Sequence, residues 1–167
     1  MLIILGGLPG VGKTTVAREL ALQIGAMHLC IDSIEQAIRH CAAVDSPLDD
    51  TGYRVAYAIA EDNLRIGRVV VADSVNPLTV TRDAWLEVAH RTRVRAIEIE
   101  VTCSDSEEHR RRVEGRAPEN FGLRLPTWQE VASREYHPWN REHIVIDTAN
   151  RSVEQNVKIL REVLSGR

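Results

Sequence analysis

Gly7 is followed, four residues on, by Gly12-Lys13-Thr14 within "GGLPGVGKTT", directly after the apolar run Leu2 to Leu5. That spacing is a phosphate-binding loop. Its glycines let the backbone wrap closely, successive N–H groups cradle the phosphates, and the lysine bridges the terminal ones. The nucleotide-binding candidates are therefore Pro9, Gly10, Val11, Gly12, Lys13, Thr14 and Thr15. A helix opening at Lys13 adds its N-terminal dipole, and the Thr14 hydroxyl would ligate Mg²⁺. All but Lys13 and Lys158 of the twenty-one basic residues are arginine. Position 13 has the compact ammonium that fits between phosphates, where a planar guanidinium would not.

A site of this kind also needs a carboxylate ending a buried strand beside the first. "VVVAD", Val69 to Asp73, supplies it, and Asp73 is the second metal candidate. The competing role for Asp73 is to cap the "SVNP" turn that follows. Asp32, in "HLCIDSIEQAIR", ends the second strand at the edge where parallel sheets bind ligands. There it could align an acceptor hydroxyl and take its proton, which makes it the candidate catalytic base. It could also be a helix-start signal with Glu35, although Ser33 and Gln36 offer a capping box one residue later that frees it.

These side chains need a scaffold, and the hydrophobic pattern describes one. Strands are expected near 2–6, 27–31, 68–73, 95–102 and 143–147. Helices are expected near 13–24, 33–41, 52–66, 80–91, 105–115, 127–136 and 152–164. The alternation predicts an α/β fold, a parallel sheet with helices on both faces, in a single domain over 1–167. Thr127 with Glu130, and Ser152 with Gln155, are set as capping boxes. Glu98 and Glu100 alternate with apolar residues, so one face of the fourth strand is expected to be partly wet. The irregular stretches 42–51 and 116–126 are where substrate-facing loops would sit.

Composition excludes several classes. A net charge of −3 argues against an extended nucleic-acid surface. The first apolar run is too short for a signal peptide or a membrane span. Cys30, Cys41 and Cys103 are odd in number and lack CxxC spacing, so they read as reduced thiols of a cytoplasmic protein. The six histidines show no transition-metal spacing.

The phosphate loop, the "ID" after strand two, "VVVADSVN" and "EEHRRRVEGR" resemble the small P-loop kinases related to chloramphenicol phosphotransferase, the zeta toxins and polynucleotide kinase. The similarity extends through "PTWQEVASREYHPW" and "VIDTAN". It implies a three-layer P-loop NTPase with a five-stranded sheet of order 2-3-1-4-5. It also implies ATP or GTP with Mg²⁺, a base at Asp32, and an arginine-bearing lid over about 105–137. The lid's i,i+4 arginine pair falls on Arg112 and Arg116, which would clamp the transferring phosphoryl. Asn150, in "DTANR", lies where such kinases form the loop under the base.

The rest of the arginine run is expected to be a salt-bridged helix face, with Glu107–Arg111, Glu108–Arg112 and Arg110–Glu114 pairs. Trp128, Tyr136 and Trp139 read as packing residues, and Tyr53 and Tyr57 either line an acceptor pocket or fill a half-buried stripe. The expected activity is transfer of a γ-phosphoryl group to a hydroxyl of a small molecule, such as an antibiotic, sugar or nucleoside-like compound. A polynucleotide 5′-kinase is the alternative, but Glu35 stands where those enzymes have an arginine. A nucleotide-binding regulator without an acceptor is the third possibility.

Overall fold

Leu2, Ile3, Ile4 and Leu5 are all fully buried, and their alternation divides the core in two. They form β1 (Leu2–Gly6) in a computed structural model that describes residues 1–42, 50–116 and 125–166. The remaining elements in chain order are α1 (Lys13–Ile24), β2 (Met27–Cys30), α2 (Ile31–Ala42), α3 (Thr51–Arg65) and β3 (Val70–Asp73). They continue with α4 (Thr79–Thr92), β4 (Ala96–Thr102), α5 (Ser106–Glu114), α6 (Trp128–Ala132), β5 (Ile144–Asp147) and α7 (Val153–Ser165). Parts of both irregular stretches, 43–49 and 117–124, lie outside the described residues.

The strands pair in parallel in the order β2-β3-β1-β4-β5, as the resemblance implies. Ile3 and Leu5 pack with Val16 and Leu20 of α1 and Val157 and Leu160 of α7. Leu2 and Ile4 pack with Ala56, Ala60 and Leu64 of α3 and Trp85 and Val88 of α4. A strand buried on both faces must be apolar at every position, which is why β1 reads as a continuous run. The result is a three-layer α/β/α P-loop NTPase. The register sets Leu5 and Cys30 opposite Asp73 on its two sides, so the phosphate loop, the start of α2 and Asp73 share one sheet edge.

Three local expectations change. Helix α2 begins at Ile31, straight out of β2, so Ser33 lies inside the helix and the Ser33–Gln36 box does not form. Asp32 instead occupies the first turn, where its charge suits the helix dipole. The boxes at Thr127/Glu130 and Ser152/Gln155 do form, yet the helix expected over 127–136 stops at Ala132. The third change concerns the wet face of β4. Glu98 is buried and held by Arg141 through two hydrogen bonds of 2.6 and 3.0 Å, while His143 Nε2 lies 3.3 Å from Glu100. The segment before β5 folds over that face, burying Glu98 and leaving Glu100 half-buried.

Arg82 holds the segment that follows α6. It is 1% exposed, and its guanidinium donates to the carbonyls of Asn76, Pro77, His137 and Pro138 at 2.6–3.2 Å. It also stacks beneath Trp139, 4.3 Å from the ring centre. One buried guanidinium thus ties the turn before α4 to the segment that follows α6. Arg82→Lys keeps the charge but has only three donors to offer. It should lower unfolding stability by about 2–4 kcal/mol, because buried carbonyls lose their partners. Arg82→Ala should cost more, both read from urea denaturation.

Candidate nucleotide site

Gly12 caps α1 in the left-handed region (φ 93°), with no side-chain cap and no acidic residue in the first turn. The first-turn amides are therefore open to an anion. Gly10 (φ 87°) makes room for α5, since a Cβ there would come within 2.4 Å of Val113 on that helix. His109, also on α5, has Nε2 2.8 Å from the Pro9 carbonyl and meets Trp128 edge-to-face. Helix α5 thus rests directly on the loop. The loop is fixed from the other side too, by Gly7 N–H donating to Val75 O and Asn76 Nδ2 donating to Leu5 O.

Lys13 is buried, and its ammonium donates to the Leu8 carbonyl at 3.0 Å. Burial lowers its pKa; the charges of Asp73 and Asp32 push the other way, and Arg116 adds to the lowering. Among the described residues Lys13 has no carboxylate within ion-pair distance, so a buried cation waits on a backbone carbonyl. That arrangement fits a triphosphate.

Asp73 is 2% exposed. Burial pushes its carboxyl up, but the His28 contact (3.3 Å), the Lys13 charge and the Thr14 hydroxyl outweigh it and hold the pKa below the usual range. An anionic Asp73 joined to Thr14 suits a magnesium ion. Among the described residues there is no cluster of three or more His, Cys, Asp or Glu that could hold a metal. Phosphate oxygens and water would complete the coordination, as magnesium prefers.

A cavity of about 520 Å³ opens over these groups. Its lining includes Pro9, Gly10, Gly12, Lys13, Thr14, Thr15, Asp32, Arg112 and Arg116, nearly all of the sequence candidates. Val11 is buried beneath the loop, where its carbonyl lies 2.7 Å from the Thr148 hydroxyl. Arg112 donates to Thr148 through both terminal nitrogens (2.8 and 3.1 Å) and to Glu108 at 2.5 Å, so it is tied to the loop. The Arg110–Glu114 pair forms as expected. No ion pair joins Glu107 to Arg111 among the described residues, and Arg111, though exposed, lines the cavity mouth.

Asn150 stands outside that lining. It occupies a left-handed turn (φ 53°), and its main-chain N–H donates to Glu108. Thr148, Arg151 and Asn156 take that side of the cavity. Tyr53 and Tyr57 prove to be packing residues, with Tyr57 edge-to-face on Trp85 at 4.6 Å. Sequence reasoning missed His28 and Thr148. Both act through strand register and long-range contact, which no local spacing signals.

A family model described as an AAA domain matches residues 2–136. The chain belongs to this AAA-domain family. No curated protein matches it. Among solved structures, the AAA domain is similar to a candidate kinase from Chloroflexus aurantiacus, with a TM-score of 0.75 and 18% identity over 96% of each chain. The APS kinase CysC of Mycobacterium tuberculosis, solved with AMPPNP and APS, gives a TM-score of 0.72 at 19% identity, covering 98% of this chain and 96% of that one. A gluconokinase from Sinorhizobium meliloti 1021 gives 0.64 at 18% identity, covering 98% and 94%. These likenesses establish a P-loop kinase fold for the AAA domain. Among its described residues no helix is long and apolar enough to cross a membrane.

Proposed function

We propose that this protein is a kinase that transfers the γ-phosphoryl group of ATP or GTP, with Mg²⁺, to a hydroxyl of a small molecule. One observation carries the reading. A second cavity, of about 390 Å³, adjoins the first, and Asp32, Arg116, Pro9 and Val75 line both. A hydroxyl held in the smaller cavity and a terminal phosphate held at Lys13 would meet at the wall formed by Asp32 and Arg116. Phosphoryl transfer needs such a meeting point more than it needs covalent chemistry from the protein.

In this reading Lys13 and the loop amides hold the phosphates, while Thr14 and Asp73 hold the metal. Asp32 aligns the acceptor hydroxyl and takes its proton as the new O–P bond forms and the nucleoside diphosphate leaves. Arg116, from the arginine-bearing lid, steadies the charge on the transferring group, and Arg112, braced by Thr148, fixes the lid over Gly12. The kinase and gluconokinase neighbours support the class of reaction, and the acidic net charge favours a small acceptor over a nucleic acid.

The test is a transfer screen with γ-labelled ATP and GTP against metabolites, antibiotics and a 5′-hydroxyl oligonucleotide, read by mass spectrometry. Transfer to the oligonucleotide alone would overturn the small-molecule reading. With the acceptor in hand, Arg116→Ala should lower kcat at least about tenfold. Arg65→Ala, which removes only surface pairs with Glu61 and Asp62, should leave kcat unchanged. Arg111 cannot serve as that control, because it lines the nucleotide cavity.

A further inference from the structure

Beyond the phosphate loop, the smaller cavity has a charge pattern of its own. Asp32, Glu35 and Arg39 lie on one stripe of α2, three and four residues apart in turn, and all three line it. Arg134, just past α6, faces the same space from another element. Glu35 is seated against Gly52 of α3, where a Cβ would come within 2.4 Å of its Cγ. We infer that the acceptor carries an anionic group, a phosphate ester or a carboxylate, which Arg39 and Arg134 bind at the end of the cavity away from the phosphate loop. This rests on the kinase reading and narrows its substrate class.

Charge and distance support it. Setting aside Asp32 and Arg116, which face the phosphoryl group, two guanidinium groups remain against one carboxylate. Neither Arg39 nor Arg134 makes an ion pair with another described residue. Burial and the Asp32 charge raise the Glu35 pKa against the opposing pull of both arginines. Guanidinium groups recognise planar carboxylates and phosphates by paired hydrogen bonds. The rise from Asp32 to Arg39 along α2 is about 10 Å, which sets the separation of the reactive hydroxyl from the anionic group at roughly the span of a sugar-sized skeleton. The lining residues described have no aromatic ring on which a base could stack.

The experiment uses the full chain saturated with AMPPNP and Mg²⁺, so that the phosphate loop is filled, and titrates it with methyl phosphate and separately with acetate. At least one should bind, and the preferred probe tells a phosphate ester from a carboxylate. Arg39→Gln and Arg134→Gln should each weaken that binding at least about tenfold, the loss of a charge-assisted contact, with AMPPNP affinity unchanged. Arg65→Gln should change neither. Binding of neither probe, or equal binding by wild type and both arginine variants, overturns the inference while the kinase reading stands. Failure of the wild type to bind AMPPNP overturns the kinase reading first.

Discussion

Asp32→Asn should bind nucleotide with wild-type affinity, melt at the wild-type temperature, and lose phosphoryl transfer by about 10²-fold or more. The transfer loss is the usual scale for a positioned general base. Unchanged nucleotide affinity follows because Lys13, Thr14 and Asp73 are untouched. Unchanged melting follows from exposure: Asp32 sits in the first turn of α2 with its side chain open to solvent, so removing its charge forfeits only a weak dipole term. A purely structural Asp32 would give near-normal turnover. Transfer, affinity and melting measured on one preparation separate the two roles, and normal transfer would remove Asp32 from the chemistry.

Lys13→Met should weaken binding of a nucleoside triphosphate by a few kcal/mol, roughly a hundredfold or more, the scale of a lost charge-assisted contact in a buried site. Lys158→Met should change nothing. Proton linkage gives the pair a second readout. The free protein holds Lys13 at a lowered pKa, so in the window between that value and the ordinary lysine value the unfolded chain binds the extra proton. Stability of the free protein should therefore rise with pH across that window. Phosphates favour the charged form, so nucleotide binding there should take up protons, seen as a binding heat that depends on the buffer. Lys13→Met should abolish the uptake. Equal affinity and equal uptake in wild type and variant would remove the lysine from the phosphate site.

The parts of this site that were legible in the sequence share a local cause. Gly7, Gly12, Lys13 and Thr14 act through backbone geometry within one loop, and Asp73 ends a run whose apolar character marks a buried strand. Sheet order followed from family resemblance, not from spacing. What stayed hidden depends on where distant segments meet. Glu107 and Arg111 have the right separation for a pair, yet packing of α5 on the loop sets Arg111 at the edge of the cavity. The Glu98–Glu100 stripe is likewise covered by Arg141 and His143, each 43 residues later. In each case the deciding contact was absent from the window in which the pattern was read.

The three tryptophans fall in places that divide the molecule optically. Trp85 is wholly enclosed between α4 and the sheet. Trp128 leans on His109 where α5 meets the phosphate loop, and Trp139 stacks on His143 and lies so close to Gly6 that a Cβ there would come within 2.8 Å of the ring. One indole is thus an internal reference, and the other two lie near the phosphate loop, one through His109 and one beside Gly6. Emission spectra of single-tryptophan variants would therefore report each of these two contacts separately as the loop fills, without any attached dye.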